Sequence, residues 1–397
     1  MSRLSRCATA TYAVAAALFL LAGCSGSGGG TNSSSSATLP VVTGDQPVSA
    51  ASAVESQANV VNNAIPVDTT SMLKALDDEL PIGSTVVGGE QNPYGLDVAK
   101  STSDKVSAGD LVICDFNDAA NVQGTGSTLL ALHPVVGSKP TLLLKNPELL
   151  GCDAIALSPG DESWAADFAA NDNALVSGAG HLDIVLNGHP FAHPFGEAFA
   201  PFDGANGVAA FYTSNAGDGT LVRINITKGG TFTFTTIAHG FAVNGGAPGS
   251  ILGPSGLQYD AKNDRLFIVD GTNNTVDVIN HPSSVRSSGI FVSPDGKHFS
   301  GADGALARNV FAGAPLNGPI SSALLPNGNL VIGNTLDPNG KNIMVEITHT
   351  GKLLATRNVD TGVAGAIFGM VATGTSDANT RIFFNDDNAN FLEVLEH

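Results

Sequence analysis

Basic residues are scarce in this chain, and their shortage is the first limit on what it can do. Of 397 residues, 18 are Lys or Arg against 36 Asp or Glu, a formal charge of -18. So acidic a surface repels phosphate backbones and anionic lipid headgroups, which argues against nucleic acid and charged membrane surfaces as partners. Cysteine is rare as well, with four in the chain and no C-x-x-C pair among them. A thioredoxin-like redox role therefore has no support. The strings that announce common chemistries are also missing: no G-x-S-x-G elbow, no H-E-x-x-H, no P-loop and no complete EF-hand loop. A catalytic site, if there is one, has to be assembled from single residues far apart in the chain.

What is present begins at the N-terminus. Arg3 and Arg6 precede an apolar run over residues 12–22, which ends in Leu21-Ala22-Gly23-Cys24. A short apolar core behind basic residues reads as a secretion signal, too short to span a bilayer as a mature helix. Its last four residues resemble the bacterial lipobox, which implies cleavage before Cys24 and acylation of that cysteine. Ser25 stands where an Asp would favour the inner membrane, so the same resemblance points to lipid anchoring at the outer membrane, in the cell envelope. Residues 26–37, GSGGGTNSSSSA, have no apolar content to bury and read as a flexible tether. The expected organisation is a lipoprotein signal peptide over 1–23, a lipid anchor and tether over 24–80, and one folded domain over 81–397. Removing the signal takes two basic residues and no acid, leaving a formal charge of -20.

The folded part is organised around PSGLQYDAKNDRLFIVDGTNNTVDVIN, which starts at Pro254. It contains a Pro-x-Gly-Leu opening and three short β-branched or apolar runs, separated by Asp/Asn/Gly/Lys turns. That is the sequence form of an antiparallel meander, because those turn residues accept the backbone angles a hairpin needs. Five further copies are legible. They open near Asn92, Cys152, Pro194, Gly318 and Ile367, with middle strands ending at Asp115, Asp167, Asn215, Asn334 and Asn385, as this copy's ends at Asp270. Residues 231–237, TFTFTTI, predict the outermost strand of the third copy, with Phe232 and Phe234 on one face.

A single meander cannot bury both of its faces, so six in a row predict an all-β fold, a six-bladed β-propeller of four-stranded antiparallel blades. The sixth copy lacks an outer strand. Ser84-Thr85-Val86-Val87 is expected to pair there and close the ring.

Arg265-Leu266-Phe267-Ile268-Val269-Asp270-Gly271-Thr272-Asn273-Asn274-Thr275-Val276, with the preceding Pro-x-Gly-Leu, resembles an NHL repeat. The likeness is best in the fourth copy and extends over residues 84–397. It implies the same six-bladed architecture and by itself no activity, since that fold hosts binding proteins, lactonases and lyases.

Cys7 leaves with the signal and Cys24 carries lipid, so Cys114 and Cys152 remain for an oxidising compartment. They are candidates for a disulfide between neighbouring blades, the alternative being two buried thiols that never meet. His181, His189 and His193 are candidate metal ligands, although Pro190 and Pro194 prevent a helix from presenting the last two on one face. The oxygen-rich turns at residues 115–118 and 385–388 would suit calcium. Gluconolactonase-like propellers, by resemblance, hold one calcium centrally, and propeller lyases use histidine with zinc. No cofactor is predicted outright, and calcium or zinc remains open. The Gly-rich insertion at residues 117–128 reads as a hairpin tip or a ligand cradle. The six Asp/Asn strand ends invite a ring-shaped site, but such residues hydrogen-bond their own turns and recur wherever the hairpin does.

Two functions follow. The first is a monomeric, lipid-anchored binding or interaction module that presents its loop face or channel to a protein, glycan or small molecule. The second is a divalent-cation-dependent hydrolase or lyase with its site in the central channel.

Overall fold

The structure is a computed structural model, and it describes residues 65–201, 207–227 and 230–397. The expected signal peptide, Cys24 and the tether up to residue 64 lie outside the described residues. Six sheets make up the domain. Their innermost strands touch in one cyclic order, Gln91–Val98, Cys152–Leu157, Pro194–Ala200, Pro254–Asp260, Pro319–Leu324 and Ile367–Thr373, which returns to the first. The protein is a six-bladed β-propeller.

Strand alternation explains why the blades stack. In the second strand of blade 1, Val112 and Cys114 join the cluster shared with blade 2, while Leu111 and Ile113 join the one shared with blade 6. In blade 4, Leu266 and Ile268 face blade 3, whereas Phe267 and Val269 face blade 5. Both faces are buried, so these strands read as continuous apolar runs. Each wedge between blades holds its own apolar cluster, and a further one sits at the hub around Tyr94, Phe195 and Ile320. At about 1.5–3 kcal/mol per buried Leu, Ile, Val or Phe, the wedges supply most of the force that holds the ring.

The Pro-x-Gly opening has two structural roles. In every blade the register between the first and second strands shifts within or next to this motif. The residue at the Gly position also lies against the neighbouring blade's backbone. A Cβ on Gly196 would stand 2.0 Å from Ser255 O, and one on Gly369 would stand 2.3 Å from Tyr94 O. Ala154 and Ser321 occupy the same place in blades 2 and 5, so the position takes only small residues.

Ring closure occurs, but with a different strand. Asp78–Ser84 pairs antiparallel with Phe391–Glu396, and the expected segment contributes Ser84 to that ladder and Thr85, whose amide donates to Asn390 O at 3.0 Å. Val87 instead bridges Glu90. The folded region therefore starts before residue 81. A single helical turn, Met72–Ala75, buries Met72, Leu73 and, after it, Leu76 against blades 5 and 6. Glu346, fully buried, accepts the Ser71 hydroxyl at 2.6 Å and the Met72 and Leu73 amides at 3.0 Å each. Arg357 donates to Leu76 O and, at 3.0 Å, to Glu79. The chain is thus strapped to blade 5 before it completes blade 6.

Blade 2 has Asp172–Val176 as its third strand and Leu182–Asn187 as its fourth. Blade 3 does not end at Phe232–His239. Ile290–Val292 pairs parallel to that strand and Phe299–Ser300 adds beyond it, giving a six-stranded sheet. Both extra strands come from the connection between the third and fourth strands of blade 4, the fourth being Ala307–Ala312. The buried Arg223 fastens this excursion by donating to the carbonyls of Pro282 and Ser283 at 2.8 Å and Val285 at 3.1 Å.

Cys114 and Cys152 are joined across blades 1 and 2, with Cα atoms 6.0 Å apart. Closing a loop of 38 residues removes denatured-state freedom worth roughly 4 kcal/mol in the chain-entropy model.

Candidate functional site

The second-to-third turns and the blade-to-blade connections share one face of the ring, here the upper face. Below it the channel is divided. An upper vestibule of about 340 Å³ and a lower cavity of about 210 Å³ are both lined by Tyr94, Asp153, Phe195, Ile320 and Phe368. These five form a waist. Each is the middle residue of a Pro-x-Gly opening or of its degenerate equivalent. The sixth, Ser255, turns aside and donates to Val269 O at 3.2 Å and Pro319 O at 3.4 Å. Tyr94 is held rigidly, its ring stacked 3.6 Å from Phe368 and 4.3 Å from Phe116 between centroids.

Asp153 is the one carboxyl in the waist. It is 6 % exposed, and neither of its oxygens has a hydrogen-bond partner. Burial pushes its carboxyl well above the usual range. The Tyr94 hydroxyl is also pushed up, by burial first and then by the nearby negative charges of Asp387 and Asp153.

Asp387 lines the vestibule, its carboxyl raised to about 7 by burial and then by Asp386. With its amide oriented to satisfy both ends, Asn92 donates to Asp387 and accepts from Asn117 at 3.0 Å. The two oxygen-rich turns read from the sequence thus meet across Asn92. From the Gly-rich insertion, Gln123 reaches the vestibule wall beside Gly249 and Ser250. The lower cavity differs in chemistry, being lined by Asp97, Lys100, Glu197 and Gln258 among others. Glu197 is raised to about 8 by burial, against the hydrogen bonds of Asn173 and Thr213.

The histidines do not form a site. His181 precedes Leu182–Asn187 and His189 follows it, which separates them by roughly 20 Å at the rise of a strand. His193 lies at the start of blade 3, its ring stacked on Phe168 and its Nδ1 3.0 Å from Phe168 O. Among the described residues no group of three or more His, Cys, Asp or Glu is placed to hold a metal ion. The waist offers one carboxyl among aromatic and aliphatic groups, where calcium takes six to eight oxygens and zinc four ligands. This donor set fits neither ion.

The six Asp/Asn strand ends line neither cavity. Asn215 donates to Pro190 O at 2.8 Å and accepts from the Ala192 amide, and Asn334 donates to Pro315 O at 2.9 Å. Each clamps the connection that enters its own blade. Asp270 accepts the Thr272 and Asn273 amides of its turn. In blade 6 the register puts Asp386, not Asn385, opposite Ile367, while Asn385 donates to the carbonyls of Tyr94 and Gly95.

The waist itself went unread in the sequence, although the repeat alignment marks the position: it is the x of Pro-x-Gly.

No family model matches this sequence, and no curated protein matches it. Solved structures do. A gluconolactonase of Xanthomonas campestris is 12% identical with a TM-score of 0.53, over 84% of this chain and 95% of that one. A chain of a nidogen/laminin complex gives 16% and 0.49, over 75% and 95%. Virginiamycin B lyase of Staphylococcus aureus with quinupristin gives 16% and 0.47, over 81% and 98%. At these identities the likeness shows the fold alone.

Proposed function

We propose that the protein is a binding propeller that takes a small organic ligand in the upper vestibule, seated on the waist. The carrying observation is the waist, where four apolar or aromatic side chains and one unpaired carboxyl converge from five blades at the floor of a cavity of about 340 Å³. A concave, mostly apolar site with a few placed polar groups is the usual form of a ligand pocket. In this reading the blades are NHL-type, the domain is monomeric, and acyl chains on Cys24 hold it at the outer membrane. The vestibule then faces the periplasm as a receptor.

The test uses the neutral fluorescent probe N-phenyl-1-naphthylamine. Saturable one-to-one binding that Ile320→Trp abolishes by filling the waist is expected, and no saturable binding, or binding indifferent to that substitution, overturns the proposal.

A second reading, acid–base chemistry in the channel, is favoured by Glu197, whose carboxyl at about 8 retains a proton near neutral pH. Hydrolysis of simple γ- or δ-lactones that disappears in Glu197→Gln supports it, and the absence of any such turnover removes it.

A further inference from the structure

We propose that the vestibule selects an organic cation, with an ammonium group on a small apolar skeleton paired to Asp153 and lying against the aromatic waist. This deepens the binding reading above and rests on it.

Three independent observations converge. The first is charge: the residues lining the vestibule include Asp153 and Asp387 and no Lys, Arg or His. The lower cavity is lined by Asp97, Asp153 and Glu197 but also by Lys100, so only there does the chain supply a cation of its own. The second is an unmet bond. Asp153 lines the chamber, is more than nine-tenths buried, and has no donor for either oxygen. A buried carboxyl without a partner costs about 1–3 kcal/mol or more. A ligand that brings donors and positive charge removes that cost on binding. The third is the wall. Phe195 and Phe368 share the waist with this carboxyl, Tyr94 having both its faces taken by Phe116 and Phe368, and an aromatic face open to the chamber attracts an ammonium group by about 0.5–2 kcal/mol when desolvated.

A metal cation is not what this arrangement takes. Its oxygens are too few, and Asp387 is engaged by Asn92. An anion would meet two carboxyls and no positive group. A neutral apolar ligand would fill the space but leave Asp153 unpaired. An alkyl- or arylalkylammonium satisfies all three features, and its skeleton has the remaining volume of the chamber. The excess of 36 acids over 18 bases also draws cations toward the protein.

The experiment is calorimetric titration of the whole protein with three probes on one skeleton: phenethylamine, 2-phenylethanol and phenylacetate. The amine is expected to bind at least tenfold more tightly than the alcohol, with no measurable binding of the acid. Asp153→Asn, of the same shape, is expected to remove the preference for the amine and leave the alcohol's affinity within about twofold. Phe368→Leu is expected to weaken the amine about threefold to tenfold and the alcohol less.

Equal binding of amine and alcohol, preference for the acid, or binding of none of the three overturns the inference. A preference unchanged in Asp153→Asn overturns it equally. If that variant does not fold, the order of the three probes on the wild type decides. The binding reading fails separately: it falls if N-phenyl-1-naphthylamine also fails to saturate, and stands if that probe binds while the amine shows no advantage.

Discussion

Blades 4 and 5 pair their buried acids, whereas blades 1 and 2 leave some of theirs unpaired beside others, Glu90 and Asp161, that are fully engaged. In blade 4, Arg265 donates to Asp260 at 2.6 Å, Asp277 receives Asn309 and Thr275, and Asp270 receives its own turn. In blade 5, Glu346 receives three donors from the strap. In blades 1 and 2, Asp115 and Asp153 are buried with both oxygens unpaired, and Asp167 faces only another acid, Asp172. Glu197, on the inner strand next to blade 2, keeps one oxygen unpaired. Folding alone gives no reason to keep orphaned carboxyls, since an apolar or amide side chain of the same size is cheaper to bury. Of these carboxyls only Asp153 and Glu197 line the channel, and that is where binding is expected.

The comparison can be broken most forcefully at Arg265. Arg265→Ala leaves Asp260 inside blade 4 without its cation, with Asn263 as the remaining donor, and should cost about 3–5 kcal/mol of unfolding free energy, read by urea denaturation. A cost under about 1 kcal/mol would mean that the paired side is no more dependent on its partners than the orphaned one.

Glu346→Ala should come next, at about 2–3 kcal/mol, because two strap amides and a hydroxyl lose their acceptor. Earlier proteolysis within residues 65–84 than in the wild type would accompany it, and an unchanged cleavage rate would count against the strap.

Acidity sharpens the contrast. Glu197 has a folded-state value of about 8 against 4.5 when unfolded, so between these values the native state holds a proton that the unfolded chain has released. Stability from this group is therefore full below about pH 4.5 and is lost as pH rises toward 8, at up to about 1.4 kcal/mol per unit. Asp172 at about 6, Asp387 at about 7 and Glu393 at about 7 act in the same direction. Glu197→Gln should make the fall in unfolding free energy between pH 5 and 8 shallower, the remainder coming from Asp172, Asp387 and Glu393. A profile rising over this window in the wild type would contradict the assignment.

The smallest effect is expected at Asp115 and Asp167. Replacing either with Asn should be neutral or stabilising by about 1 kcal/mol, since an amide is cheaper to leave in that place than a carboxyl. A loss above about 2 kcal/mol for either would indicate that these carboxyls have partners after all.

The repeat architecture was legible because strands buried on both faces announce themselves as apolar runs between turn residues. Middle strands such as Leu330–Asn334 and Arg265–Asp270 are unmistakable in this way. The closing strand Asp78–Ser84 was not, because DELPIGS carries two acids and Pro81. An outer edge strand tolerates both, having one side free of pairing. Asp172–Val176 opens on Asp-Asn and reads as a turn until its register with Ser163–Asp167 is seen. The excursion after Asn280 was signalled only by length: the next blade opens near residue 318, too far for one strand, yet nothing local says that it returns to blade 3.

The site was the least legible. Tyr94, Asp153, Phe195, Ile320 and Phe368 share a position and no chemistry, so no periodicity picks them out. Their inward direction is settled by the register shift in each inner strand rather than by residue type. The histidines looked more like a site because they are close in sequence, but a strand separates His181 from the other two and the His193 ring is turned onto Phe168.

The central claim is that Asp153 is an empty acceptor at the waist. Its most direct test is the carboxyl-carbon NMR signal of Asp153, identified by its absence in Asp153→Asn, followed as phenethylamine is added to saturation at pH 6. A signal that shifts saturably, in step with amine binding, is predicted. A signal that stays where it began while the amine binds would contradict the account.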